Sequence, residues 1–206
     1  MLTQAVLNTE NKEIKKIDLE KGVFGAPIRR QLLFDAVKSY LLAKRQGTAK
    51  AKFRWEVKGS TKKIYKQKGT GNARHGGIRA NIFVGGGIAF PPRPRVWNSH
   101  LSQTMRQEAL RSALSLRKKE GNLLVVDGLV CKEIKTKTVV KQLAKWGIHK
   151  GLIVLDKIDD KTWKSLRNIP HIEVAVSNVV NVLDILRHEK LVVTVGALSQ
   201  LEKRLV

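Results

Sequence analysis

The 206-residue chain is 42% hydrophobic, enough for a real core, and carries a formal net charge of +23 with an isoelectric point near 10.4, far beyond what solubility requires. That excess points to a polyanionic partner, nucleic acid or an anionic membrane. The single cysteine, Cys131, excludes an intramolecular disulfide; no apolar run is long enough to span a bilayer, and the first ten residues lack signal- and transit-peptide character, so a cytoplasmic location is expected.

In chain order, residues 2–7 and 12–19 alternate apolar and polar side chains around Asn8-Thr-Glu-Asn11, which predicts a hairpin. Pro27 fits the first turn of a helix running to about Arg45, with Ile28, Leu32, Leu33, Ala36, Val37, Tyr40 and Leu41 on one face and Gly47 as its stop. The following stretch has neither helical nor strand periodicity. Between Lys44 and Arg95 it holds 14 bases (Lys44, Arg45, Lys50, Lys52, Arg54, Lys58, Lys62, Lys63, Lys66, Lys68, Arg74, Arg79, Arg93 and Arg95) against Glu56 alone, which is +13 of the +23. A loop of that length in a compact domain is expected only if it is functional or disordered.

Beyond it, Ser99 or Ser102 is placed to cap a helix reaching about Lys119, with Met105, Ala109, Leu110, Ala113, Leu114 and Leu116 inward and Arg106, Arg111 and Arg117 outward. Short apolar runs then alternate with helical stretches. The runs lie at 123–126, 152–155, 172–176 and 191–194, the helices at about 136–147, 160–168, 179–187 and 197–205. Strands apolar on consecutive residues are covered on both faces, so this pattern predicts a three-layer α/β domain with a mostly parallel sheet flanked by helices. Its expected extent is 1–45 with 98–206, the extended loop occupying 46–97 between two helices.

The glycines of the loop do not spell a nucleotide-cofactor site, because Gly69-Thr-Gly71 lacks the phosphate-loop spacing and is not preceded by an apolar strand. Gly69, Gly71, Gly76, Gly77, Gly85, Gly86 and Gly87 instead let backbone approach a phosphate or ribose closely. Six of the eleven aromatics, Phe53, Trp55, Tyr65, Phe83, Phe90 and Trp97, lie in or just after the loop, interleaved with bases as stacking on RNA requires. Packing at the base of the loop is the competing role for Phe53, Phe90 and Trp97, while Tyr65 is the favoured RNA contact. His75 is read as a further polar contact to nucleic acid; with His100, His149, His171 and His188 it shows no paired ligand spacing, so no metal site and no cofactor are expected.

Asp127 and Asp156 follow strand runs, where doubly wound folds place ligands, and are the only enzymatic candidates; acids there more often cap helices, as Asp159 and Asp160 are read to do. The loop has no continuous amphipathic helix for a membrane. A nucleic-acid-modifying enzyme with a basic guide arm, and a DNA architectural protein, are the two rival readings.

Lys66-Gln-Lys-Gly-Thr-Gly-Asn-Ala-Arg74, Gly85-Gly-Gly-Ile-Ala-Phe90 and Pro92-Arg-Pro94 together resemble the signature of the ribosomal large-subunit protein four family. The likeness extends to Ala43-Lys-Arg-Gln-Gly-Thr48, Glu56-Val-Lys-Gly59 and Arg106-Gln-Glu-Ala-Leu-Arg111, covers essentially the whole chain, and matches the compact bacterial or organelle type. Asn72, Asn81 and Pro91 depart from its usual residues. The resemblance implies a non-enzymatic structural constituent of the large subunit that binds its rRNA and assists early assembly. Its loop would line the nascent-peptide exit tunnel, beside large-subunit protein twenty-two and the nascent peptide. The fourteen bases and His75 would then be rRNA contacts, and Tyr65, Gln67, Lys68, Gly69 and Thr70 would lie at the tunnel tip, Lys68 matching a position of macrolide resistance.

Overall fold

The alternating N-terminal segment forms the hairpin its pattern predicts, strand β1 (Leu2–Leu7) pairing antiparallel with β2 (Glu13–Leu19). In the turn Asn11 takes a φ of 65°, and the Asn8 carboxamide oxygen accepts from the Glu10 and Lys12 amides at 2.8 and 3.0 Å. Glu13, Lys15, Lys16 and Asp18 are exposed along β2, which lies at the sheet edge, where charge discourages pairing with another chain. The computed structural model describes residues 2–129 and 134–205; Cys131 and the reading attached to it lie outside the described residues.

Four further strands complete a six-stranded sheet: β3 (Leu123–Val126), β4 (Gly151–Leu155), β5 (Ile172–Val176) and β6 (Lys190–Thr194). The order is β2-β1-β3-β6-β4-β5, and every pairing except β1 with β2 is parallel. The helices are α1 (Lys21–Phe24), α2 (Arg30–Ala43), α3 (Gln103–Lys119), α4 (Thr136–Lys145), α5 (Asp160–Leu166), α6 (Val182–Arg187) and α7 (Val195–Leu205).

The consecutive apolar residues of β4 divide by period two between the faces. Leu152 and Val154 join a core with Phe24, Leu33, Leu114, Ile185 and Leu201, from α1, α2, α3, α6 and α7; Ile153 and Leu155 join one with Val139, Leu143 and Leu166, from α4 and α5. Two helical layers therefore sandwich the sheet, the predicted α/β architecture.

Three local readings are corrected. The helix expected from Pro27 begins at Arg30, because α3 hydroxyls engage the preceding backbone: Ser115 Oγ accepts from the Ala26 amide and donates to Val23 O, and Ser112 Oγ donates to Pro27 O, each at 3.0 Å. On α3, capped by Ser102 as one alternative held, Met105 is 40% exposed and the buried stripe starts at Ala109. Arg117 is not outward. Its side chain is 11% exposed, and its guanidinium donates to Ile185 O, Leu186 O and His188 O at 2.6–3.2 Å, closing the carbonyl end of α6.

The strand-end acids have structural surroundings. Asp127 is exposed, 4.0 Å from the Lys15 ammonium. Asp156 sits beside the first turn of α7, so close that a Cβ at Gly196 would be 3.1 Å from its carboxylate. Asp159 occupies the N-cap position of α5, but its side chain makes no cap hydrogen bond. In α7 the Thr194 hydroxyl takes that role, accepting from the Ala197 amide at 3.3 Å.

Candidate nucleic-acid interface

Residues Leu42–Asn98 form one compact unit, and Met1–Leu41 with Ser99–Val206 the other. From residue 44 to 102 there is neither helix nor strand, as the missing periodicity predicts. The segment nonetheless has internal order. Arg95 N donates to Gly47 O, Ala51 N to Pro92 O and Ile88 N to Lys52 O at 3.0–3.1 Å, so two limbs run antiparallel at its base. Farther along, Gly87 N donates to Arg79 O and Ile64 N to Gly76 O, both at 3.1 Å.

Glycine permits this crossing at two places. Gly47 has a φ of 64°, and a Cβ there would lie 2.1 Å from Arg95 O; at Gly87 it would lie 2.3 Å from the Arg54 amide nitrogen. No side chain fits at either. Gly71, Gly76 and Gly85 differ, since a Cβ would meet nothing within 4 Å. At the far turn Gly69 and Gly71, on either side of Thr70, take φ values of 82° and 70°.

Rings and cations supply the rest of the order. Phe53 and Trp55 stack with centroids 4.2 Å apart and planes 9° from parallel, and the Arg93 guanidinium lies 4.1 Å from the Phe53 ring. Arg45 and Arg95 both lie over Trp97, at 3.8 and 3.5 Å. Tyr65, the favoured RNA contact, uses its hydroxyl on Ala73 O and meets His75 edge-on at 6.4 Å, while His75 meets Phe83 at 4.9 Å. These three rings brace the outer turn. Phe90, one of the three rings for which packing was the competing role, is 95% exposed.

The fourteen bases divide by what they already hold. Lys50 pairs with Glu56 at 3.1 Å, Lys63 donates to Gln67 Oε1 and His75 O at 2.7 and 3.1 Å, and Arg79 donates to Val57 O at 3.1 Å. Arg45, Arg93 and Arg95 lie on rings. The side chains of Lys44, Lys52, Arg54, Lys58, Lys62, Lys66, Lys68 and Arg74 are exposed and have no partner among the described residues. Glu56, the lone acid, accepts from the Phe53 amide at 3.0 Å as well as from Lys50. The Phe53 amide, then the Lys50 ammonium, hold its carboxyl below the ordinary glutamate range.

Composition did not reveal Glu56 as a local organiser or Phe53, Trp55 and Arg93 as one column; the only sequence signal was the i, i+2 spacing of the two aromatics. Among the described residues no group of side chains could hold a metal ion, and no helix is long and apolar enough to cross a membrane.

The profile of the ribosomal protein L4/L1 family matches residues 17–204. Curated relatives named large ribosomal subunit protein uL4 align along nearly full lengths. The Agathobacter rectalis protein is 42% identical over 203 residues, 98% of both chains; that of Natranaerobius thermophilus is 39% identical over 200 residues, 97% of both; that of Desulfotalea psychrophila is 38% identical over 206 residues, all of this chain and 98% of its own. The chain belongs to the ribosomal protein L4/L1 family. This family comprises structural ribosomal proteins, not enzymes, which removes Asp127 and Asp156 from consideration as catalytic groups.

Proposed function

We propose that the chain is an rRNA-binding structural protein of the bacterial large ribosomal subunit, in the cytoplasm, with residues 46–97 as an rRNA-penetrating loop and 1–45 with 98–206 as the body that holds it. One observation carries this reading: eight exposed cations without partners on a segment with no helix or strand. A solvated surface gains nothing from such crowding, because like charges repel and only a polyanion relieves them. RNA fits better than a DNA duplex, since the exposed rings beside those cations suit unpaired bases. The fourteen bases and His75 are assigned to rRNA contact, His75 chiefly by bracing the turn.

Relatives of the chain carry the large subunit in their names, which supports placing it there. The turn at Tyr65, Gln67, Lys68, Gly69 and Thr70 is assigned to the wall of the exit tunnel, near the nascent peptide and the uL22 protein. Early assembly follows from the same physics, because a loop threaded through RNA must be in place before the RNA closes around it.

Binding of the full chain to large-subunit rRNA across a salt series tests the proposal. With about ten bases on phosphates, log affinity falls against log salt with a slope on the order of −7 to −9. A slope shallower than about −3, or absence of the protein from large subunits sedimented in low salt, would refute it.

A further inference from the structure

A cavity of about 370 Å³ opens beside Trp55 within the basic unit, walled by Arg54, Trp55, Ser60, Thr61, Gly76 and Arg79. Its chemistry is unlike that of a packing defect. Trp55 ends the column Arg93, Phe53, Trp55: Phe53 occupies one face of the indole, and no ring or cation covers the other among the described residues. Trp55 is 65% exposed. The floor is fixed by a close approach of backbone, a Cβ at Gly77 lying 3.2 Å from Thr61 O, and by Arg79, whose Nη1 is held on Val57 O at 3.1 Å while its other N–H groups are uncommitted. The Thr61 hydroxyl has no hydrogen bond among the described residues, and Ser60 Oγ, which accepts from the Lys62 amide at 3.0 Å, still has its own proton to donate.

We propose that this cavity takes one unpaired base of the bound RNA, stacked on the open face of Trp55. The Thr61 and Ser60 hydroxyls read the base edge, and Arg54 and Arg79 neutralise the adjoining phosphate. A flat ring, hydroxyls able to donate or accept, and guanidinium cations are the three parts of a nucleotide site in single-strand recognition, and the volume admits one nucleotide. The inference rests on the rRNA-binding reading.

The test measures rRNA affinity of the full chain across a salt series for Trp55→Ala, Trp55→Phe, Trp55→Leu and Gly76→Ala. Losing one base-stacking ring lowers affinity by between about 5- and 150-fold. Tryptophan carries no charge, so Trp55→Ala shifts the salt plot down without changing its slope, whereas Lys52→Gln makes the slope shallower. Trp55→Phe retains stacking and stays within about 3-fold of the parent. Trp55→Leu still packs on Phe53 but offers no ring, and is expected to fall with alanine. Gly76→Ala guards against a folding artefact: its methyl meets nothing within 4 Å in the free protein, yet it narrows a wall of the cavity and weakens binding several-fold. Ultraviolet irradiation of the parent complex joins a nucleotide to Trp55. Parent-like affinity in both Trp55→Ala and Gly76→Ala overturns the site, as does Trp55→Leu binding as well as Trp55→Phe. A parent chain with a shallow salt slope instead overturns the rRNA reading beneath it.

Discussion

Glu56 shows how one residue can order a segment that composition marks as featureless. Its carboxylate gathers the Phe53 amide and the Lys50 ammonium, and so sets the backbone that brings Phe53 onto Trp55. Because its pKa is lowered when this structure forms, its contribution is fully present above the unfolded-state value and is lost as pH falls through the depressed folded-state value. The turn from Phe53 to Glu56 belongs to one of the local seeds that order this unit before RNA binds, so side-chain NMR titration should give Glu56 a midpoint below that of an ordinary glutamate, moving up in Lys50→Ala. A midpoint at or above the ordinary value would remove Glu56 as the organiser. The sequence displayed the single acid among fourteen bases, but its role depends on a hydrogen bond to backbone three residues earlier, which no periodicity announces. The bracing role of Tyr65 was hidden for the same reason: its exposed neighbourhood was legible, the Ala73 carbonyl that takes its hydroxyl was not.

At the level of elements, legibility followed burial. Strands covered on both faces, such as Ile153 in one core and Val154 in the other, leave continuous apolar runs that can be read directly. Helix limits and side-chain directions were less readable where a polar group serves a distant segment. Arg117 is the clearest case. On a helical wheel it belongs to the polar side of α3, yet its guanidinium reaches three carbonyls at the end of α6, and Glu120 holds it from the other side at 2.7 Å. Arg117→Met leaves those carbonyls without a donor in a place largely closed to water, and should cost about 2–4 kcal/mol in urea unfolding. Lysine at 117 preserves the charge but not the fork, so it should recover less than half of the loss. A loss under about 0.5 kcal/mol for Arg117→Met would mean the carbonyls find water instead.

For the whole molecule, the two units rest on different physics. Residues Met1–Leu41 and Ser99–Val206 share two apolar cores, whereas Leu42–Asn98 has a handful of limb-to-limb hydrogen bonds and a few ring contacts. Fixing each residue costs about 1–2 kcal/mol of backbone entropy, and a hydrogen bond returns only about 0.5–1.5 kcal/mol net. The balance for the basic unit is unfavourable while its exposed cations are unneutralised, so under the proposed function its described path should be the one RNA stabilises, with the Phe53–Trp55 and His75–Phe83 contacts as local seeds. Amide exchange of the free chain should thus be fast across residues 44–98 and slow in β3, β4 and β6, and adding rRNA should slow the first group alone. Deleting residues 60–80 should leave cooperative unfolding of the α/β unit within a few degrees of the parent while steepness of the salt dependence falls, because the deletion removes Lys62, Lys63, Lys66, Lys68, Arg74 and Arg79. Strong protection of residues 44–98 without RNA would show that the basic unit is stable unaided, and a deletion variant that no longer unfolds cooperatively would show that the α/β unit needs it.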